Sequence, residues 1–154
     1  MPTPSLPLDG SCRCGQVHIR ITKPPLMTAA CHCRGCQKMS SSAFSLTVIV
    51  PADGLEVTKG EPVECGTHGP DQDHMACPHC MSWMFTRPAA LDFMVNVRAT
   101  LFDETGWYAP FVETQTAEKF LWAETGAPHG FDRFPGPEDM GPLIEAYAKA
   151  AAVA

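Results

Sequence analysis

Eight cysteines, at positions 12, 14, 31, 33, 36, 65, 77 and 80 of a 154-residue chain, limit what the chain can fold into more than any other feature. Seven of them fall in three clusters, Cys12-x-Cys14, Cys31-x-Cys33-x-x-Cys36 and Cys77-x-x-Cys80, while Cys65 stands alone. A disulfide framework needs an oxidising compartment and is typical of chains too small to build a core. Neither condition is indicated. Hydrophobic residues make up 45% of the chain, and its length suits one domain, taken here as 1–154. The opening segment Met1-Pro-Thr-Pro-Ser-Leu-Pro7 has neither the positive start nor the apolar stretch of a secretory signal, so a cytoplasmic, reduced chain is expected. Thiols at C-x-x-C spacing then point to zinc, because a short knuckle aims two sulfurs at one point with backbone N–H groups behind them. A redox-active Cys77–Cys80 pair is the competing reading. It expects a thioredoxin-like βαβ context and leaves the other clusters unexplained. Buried unliganded thiols are a third reading.

Charge removes two classes of partner. With 17 acidic against 11 basic residues and a formal charge of −6, the chain lacks the clustered Lys and Arg that phosphate backbones and anionic membranes attract, so neither nucleic acid nor membrane is expected. The longest uninterrupted hydrophobic run, Ala150 to Ala154, falls far short of the roughly 20 residues of a spanning helix.

Glycine and proline punctuate short segments at close intervals, the rhythm of a mainly β domain. Val17, Ile19 and Ile21 alternate with polar residues, which predicts a half-buried strand over 15–22. Further strands are predicted at 44–50, 55–58, 62–65, 74–76, 91–98 and 111–116, with turns at Asp53-Gly54 and Thr105-Gly106. Residues 123–139 read as a long irregular connection. Met140, Leu143, Ile144, Tyr147 and Ala151 follow helical spacing, which predicts a carboxyl-terminal helix over about 140–152, with Pro142 in its first turn.

Geometry separates the cysteine clusters. Leading into a strand, Cys12 and Cys14 would point their sulfurs to one side and supply half a tetrahedron, which the Cys77–Cys80 knuckle completes as a closed, structural four-thiolate site. Cys31, Cys33 and Cys36 offer three sulfurs and leave one tetrahedral position for water or a substrate atom, as zinc enzymes do. The alternative is that His32, Cys65 or another side chain fills the fourth place and the second zinc is structural too.

The segments Gly10-Ser-Cys-Arg-Cys-Gly-Gln-Val17, Cys31-His-Cys-Arg-Gly-Cys-Gln-Lys38 and Cys77-Pro-His-Cys80, in this order and at these separations, resemble the glutathione-dependent formaldehyde-activating enzyme family, which shares its domain with centromere protein V. Residues 111–119 and 125–134 also resemble the family's carboxyl-terminal half, so the resemblance covers about 8–135. It implies a mainly β, Mss4-like fold with short helices and two zinc ions. Cys12, Cys14, Cys77 and Cys80 match the structural ligands, and Cys31, Cys33 and Cys36 the catalytic-type cluster. Two positions depart from the family pattern: Met81 stands where Gly usually follows the last cysteine, and Ser41 where Gly often follows the Cys-Gln-Lys segment.

The activity implied is that of a carbon–sulfur lyase, adding the thiol of glutathione to formaldehyde as S-hydroxymethylglutathione or acting on a related thiol adduct. Such a reaction asks for a thiol held as thiolate and for stabilisation of a carbonyl oxygen that gains charge. A three-thiolate zinc is a weak Lewis acid, better suited to the first task. Glutathione brings two carboxylates, for which Arg34 and Lys38, beside the cluster in sequence, and also Arg87 are candidate cations. His32 and His79 flank ligands without an assigned role, Cys65 reads as a buried strand residue, and Trp83, Phe85, Trp107 and Trp122 read as core or pocket wall. A non-catalytic, zinc-stabilised protein-binding module is the alternative function, and a homodimer is left open.

Overall fold

A computed structural model describes residues 2–152. Met1 of the opening segment, and Val153 and Ala154 of the Ala150–Ala154 run, lie outside the described residues. Strands dominate. In chain order they are β1 (Leu8–Ser11), β2 (His18–Ile21), β3 (Met27–Cys31), β4 (Ser45–Pro51), β5 (Leu55–Lys59), β6 (Val63–Cys65), β7 (Gln72–Ala76), β8 (Trp83–Pro88), β9 (Met94–Arg98), β10 (Val112–Thr114) and β11 (His129–Phe131). Helix α1 (Arg34–Ser40) follows β3, and α2 (Pro137–Ala152) ends the chain. A small sheet runs β1-β2-β5 and a large one β11-β10-β3-β4-β9-β8-β7-β6. Pairing is antiparallel except for β10, which lies parallel to β3 and β11. The mainly β class with a carboxyl-terminal helix is as the sequence implied, and no helix among the described residues is long and apolar enough to cross a membrane.

Period-two alternation sorts the large sheet into two faces. Val48 and Val50 of β4 and Val95 and Val97 of β9 join Ile19 and Ile21 of β2, and Val17 just before it, in one buried core. Ile49 of β4 and Met94 of β9 point to the other face, where Met27, Phe111 and Val112 pack against Leu143 and Tyr147 of α2. The helix therefore covers one end of that face and leaves the other end to a cleft.

Several elements differ from expectation. β3 is buried along its whole length, so it lacks the polar–apolar alternation that marks a half-exposed strand. β1, β8 and β11 were likewise not foreseen, and β11 interrupts the connection expected over 123–139. Asp53-Gly54 is a turn, but β5 leaves β4 behind and pairs with β2. Helix α2 starts at Pro137, not near 140. Gly136 N–H donates to the Asp139 carboxylate at 2.9 Å while Asp139 N–H donates to the Gly136 carbonyl at 3.0 Å, a reciprocal cap that leaves Pro137 in the first-turn role. Pro142 lies inside the helix.

Both departures from the family's glycines fall on left-handed backbone. Ser41, which ends α1, has φ 50°, and Met81, after the last cysteine, has φ 57°. A side chain at such a position costs about 1 kcal/mol, and Met81 is 60% exposed, so its side chain returns little by burial. Met81→Gly and Ser41→Gly are each expected to stabilise the protein by about 0.5–1 kcal/mol, read as a rise in Tm of a few degrees. An unchanged or lower Tm in both would count against the strain.

Candidate functional site

The four-thiol cluster is built from two hairpin turns. Cys12 and Cys14 lie in the loop between β1 and β2 and not in a strand: Gly15 N–H donates to the Cys12 carbonyl, Cys12 N–H to the Val17 carbonyl, and Val17 N–H to the Cys12 sulfur at 3.3 Å. Cys77 and Cys80 form the turn between β7 and β8, closed by Met81 N–H to the Cys77 carbonyl. Ligand atoms of Cys12, Cys14, Cys77 and Cys80 lie within 4.8 Å of one another. The separations of 3.5 Å for Cys12–Cys14 and 3.7 Å for Cys14–Cys77 are close to the roughly 3.8 Å that tetrahedral geometry with zinc–sulfur bonds near 2.3 Å requires. All eight cysteines are free thiols. The Ser82 hydroxyl, 3.2 Å from the Cys80 sulfur, pulls that thiol down to about 5.

The second cluster sits where β3 gives way to α1. Cys33 caps the helix: Cys36 N–H donates to its sulfur at 3.3 Å and Gln37 N–H to its carbonyl at 3.0 Å. The thiols of Cys31 and Cys36, with the backbone N–H groups of Cys36 and Gly35, hold Cys33 far below the usual thiol range. Cys31 and Cys33 in turn push Cys36 upward, since neighbouring sulfurs cannot all ionise unaided. These three sulfurs also lie within 4.8 Å of one another, and among the described residues no His, Asp, Glu or further Cys completes the group. His32 turns its ring to Glu113, and Cys65 on β6 belongs to neither cluster. Both clusters thus have the donor chemistry and spacing for a metal such as zinc, one with four sulfurs and one with three.

Cys31, Cys33 and Cys36 line a cavity of about 430 Å³ on the cleft face. Its apolar floor includes Met27, Ala29, Ile49 and Met94, and its polar wall includes Thr47, His74, Thr86, Asn96, Arg98 and Thr114. The register explains the mixture: Thr114 and Ser45 flank Cys31 on neighbouring strands, and Thr47 pairs with Arg98. Trp83 N–H donates to the Thr86 hydroxyl, which lies 2.8 Å from His74 Nδ1. Arg98, absent from the sequence reading, is only 6% exposed. It ends a strand in which Met94, Val95 and Val97 are apolar and only Asn96 is otherwise polar, and a charge at the end of so apolar a run is the signal that could have singled it out.

Arg34 and Lys38 lie exposed on α1, outside the cavity lining. Arg34 donates to Gln37 and lies over the Phe120 ring. Arg87 and His79 are exposed, Cys65 is half-buried, and Trp122 is 73% exposed instead of forming core or pocket wall. His32 is wholly buried, its Nε2 3.2 Å from the Glu113 carboxylate, which also accepts from Lys119 and from Thr125 at 2.8 Å. Burial alone would raise the Glu113 carboxyl, but the Thr125, Lys119 and His32 contacts hold it below its ordinary value. Glu118 repeats the device, its carboxylate accepting Arg34 N–H at 2.6 Å. Together they fasten the loop after β10 to the cysteine turn. Removing a half-buried, multiply hydrogen-bonded carboxylate strands its partners, the wholly buried His32 among them, so Glu113→Ala is expected to cost about 1–2 kcal/mol in denaturant unfolding. A change below about 0.5 kcal/mol would show that the latch carries no stability.

A family model described as glutathione-dependent formaldehyde-activating enzyme matches residues 7–118. A Podospora anserina protein provisionally named as such an enzyme is 30% identical over 121 residues, which are 71% of this chain and 55% of that protein. The chain therefore spans about half the length of that relative. A crystal structure of a Rhodobacter sphaeroides protein superposes with a TM-score of 0.50 at 18% identity, over 62% of this chain and 88% of its own, a likeness of fold. With the three cysteine motifs of the sequence lying inside residues 7–118 and gathered into two clusters, the chain belongs to the glutathione-dependent formaldehyde-activating enzyme family.

Proposed function

We propose that the chain is a zinc-dependent enzyme of the formaldehyde-activating type, which joins the thiol of glutathione, or of a related thiol, to formaldehyde and cleaves the adduct in reverse as a carbon–sulfur lyase. The observation that carries this reading is a cluster of only three thiols whose sulfurs face a cavity. Cys31, Cys33 and Cys36 would hold a catalytic-type zinc, and Cys12, Cys14, Cys77 and Cys80 a structural one. Zinc at the three-thiol cluster would lower the pKa of an incoming thiol and keep it as thiolate. The chain's own residues do the rest. Met27, Ala29, Ile49 and Met94 give the substrate a dry floor, which strengthens polar interactions at the reacting end. Thr47, Asn96 and Thr114 offer hydrogen bonds that orient a peptide-like ligand. Arg34 and Lys38, exposed next to Cys33 and Cys36, remain the candidate cations for glutathione's carboxylates.

One observation favours the protein-binding alternative: Phe120 and Trp122 stack at 5.9 Å and, with Leu121, leave an apolar strip in solvent. That strip lies outside the cavity lining and does not compete with the enzyme reading.

Two expectations follow from the unequal clusters. Purified under reducing conditions, the protein should carry two equivalents of zinc, and chelator should strip the three-thiol cluster first. Cys77→Ser should then unfold or severely destabilise the protein, since structural zinc contributes on the order of 10 kcal/mol to folding, whereas Cys33→Ser should stay folded and lose one metal. Equal loss of Tm in the two variants would make both sites structural. Because formaldehyde and glutathione combine spontaneously, exchange rate is the proper measure of activity. Catalytic amounts of protein should speed interconversion of free and hydroxymethylated glutathione in exchange NMR. The effect should vanish in Cys33→Ser and persist in Cys65→Ser. Exchange no faster than in buffer, with zinc content verified, would reject formaldehyde activation.

A further inference from the structure

The cleft holds a buried cation with too few partners. Arg98 is 6% exposed and its guanidinium sits 4.0 Å from the Trp83 ring centroid. Among the described residues only the Asn96 carbonyl accepts from it, at 3.3 Å, and Nε has no acceptor at all. No described carboxylate is paired with it. Burying a guanidinium with most of its donors idle is costly, so the arrangement expects a partner from outside the chain. Burial pulls its pKa down to about 10, with the charge of Cys36 the largest opposing influence, and the group remains a cation at neutral pH.

Position narrows what that partner is. Arg98 stands on β9, directly across from Thr47 on β4, and Ser45, two residues back on the same face of β4, pairs with Cys31. Two strand spacings and a two-residue offset along them, together about 12 Å, separate its backbone from that of Cys31, and the side chain lines the same cavity as the three cysteines. A cation meant for a remote carboxylate of the ligand belongs at the far end of the cleft, near Met140 and Pro135; this one stands at the reacting end. Ser45 stands there too, 2% exposed, with its hydroxyl beside Cys36.

We propose that Arg98 is a further catalytic residue, whose idle N–H groups receive the carbonyl oxygen of the aldehyde as that oxygen becomes charged. The inference rests on the reading of the chain as a formaldehyde-activating enzyme. The ligand thiol gives its proton to water; a sulfur lone pair forms the C–S bond while the π pair of the C=O bond moves onto oxygen; and the resulting alkoxide takes a proton from water. Nothing is oxidised or reduced. A three-thiolate zinc polarises a carbonyl poorly, and a pre-placed guanidinium supplies that second requirement without reorganisation. Trp83 fixes its plane and the Asn96 carbonyl fixes one edge.

The test compares wild type, Arg98→Met and Arg98→Lys by exchange NMR over a range of glutathione concentrations, after zinc content and folding are measured. Losing one oxyanion donor set should lower the exchange rate at saturation about 100-fold, with half-saturation shifted less than about threefold. Lysine, which keeps the charge but loses the planar fork, should recover only part of the rate. The same loss should appear with 2-mercaptoethanol, which has no carboxylate. If Arg98→Met does not fold, Arg98→Lys carries the comparison. Wild-type rates at saturation in a folded, zinc-containing variant would overturn the proposal. So would a loss confined to half-saturation, or one that disappears with 2-mercaptoethanol, since either would make Arg98 a carboxylate anchor. Wild-type protein that leaves exchange at the buffer rate would instead overturn the enzyme reading, and the role of Arg98 with it.

Discussion

Two turns from two different sheets meet sulfur to sulfur, and the rest of the structure is arranged around that junction. The β1–β2 turn brings Cys12 and Cys14 from the small sheet; the β7–β8 turn brings Cys77 and Cys80 from the large one. Between the sheets lies a core of Val, Ile and Leu side chains, whose attraction is proportional to area and has no direction. Sulfurs that converge on one point do have direction. They fix which ends of the sheets lie together, and Arg13 N–H on the Ser82 hydroxyl at 3.3 Å adds a bond across the same seam. A 154-residue chain has core enough to fold, so the cysteines serve registry between the sheets as much as compactness.

Once the sheets are registered, strand parity assigns the chemistry. Every second residue of β4 and β9 enters the core, and the residues between them face the cleft. A slip of one residue would exchange Val48 for Thr47 and Val97 for Arg98, burying a hydroxyl and a guanidinium in hydrocarbon. The cleft's polar groups are therefore part of what specifies the register. Helix α2 completes the division by packing against Met27, Ile49 and Met94, whose remaining surface floors the cavity, while leaving the end at Cys31 and Ser45 uncovered.

What the sequence made legible follows the same physics. β2 was readable because Val17, Ile19 and Ile21 alternate against one wetted face, and both cysteine clusters were readable because metal knuckles are local in sequence. β3 was not, since a strand buried on both faces carries no alternation, and neither was the start of α2, where the cap depends on Gly136 and Asp139 and lies ahead of the first apolar repeat. Pairing was the least accessible: β4 and β5 are joined by a short turn, yet β5 belongs to the other sheet. Of the site, the ligand-type residues come from motifs, whereas Arg98, His74 and Glu113 come from three separate strands and meet the clusters only through topology. Arg34 and Lys38 illustrate the converse, because sequence proximity to a cysteine on a short helix sets a side chain beside the cluster without turning it into the cavity.

The two clusters also differ in the charge that their surroundings can accept. Four thiolates around a dication carry two negative charges, and three carry one. With a metal bound, the larger charge would fall at the seam of two surface turns, where Cys14 is exposed and water and backbone N–H groups can share it. The smaller one would fall at the buried end of β3, beside a cleft with an apolar floor. In such surroundings an isolated charge is expensive, and Arg98, the one buried guanidinium among the described residues, would bring the sum for a metal-loaded cluster to zero. In a chain with a formal charge of −6, a cation placed there is not a by-product of composition. On the function proposed above it would offset the charge of three thiolates around a metal, and because its remaining N–H groups have no acceptor among the described residues it could still answer a negative charge that develops during reaction.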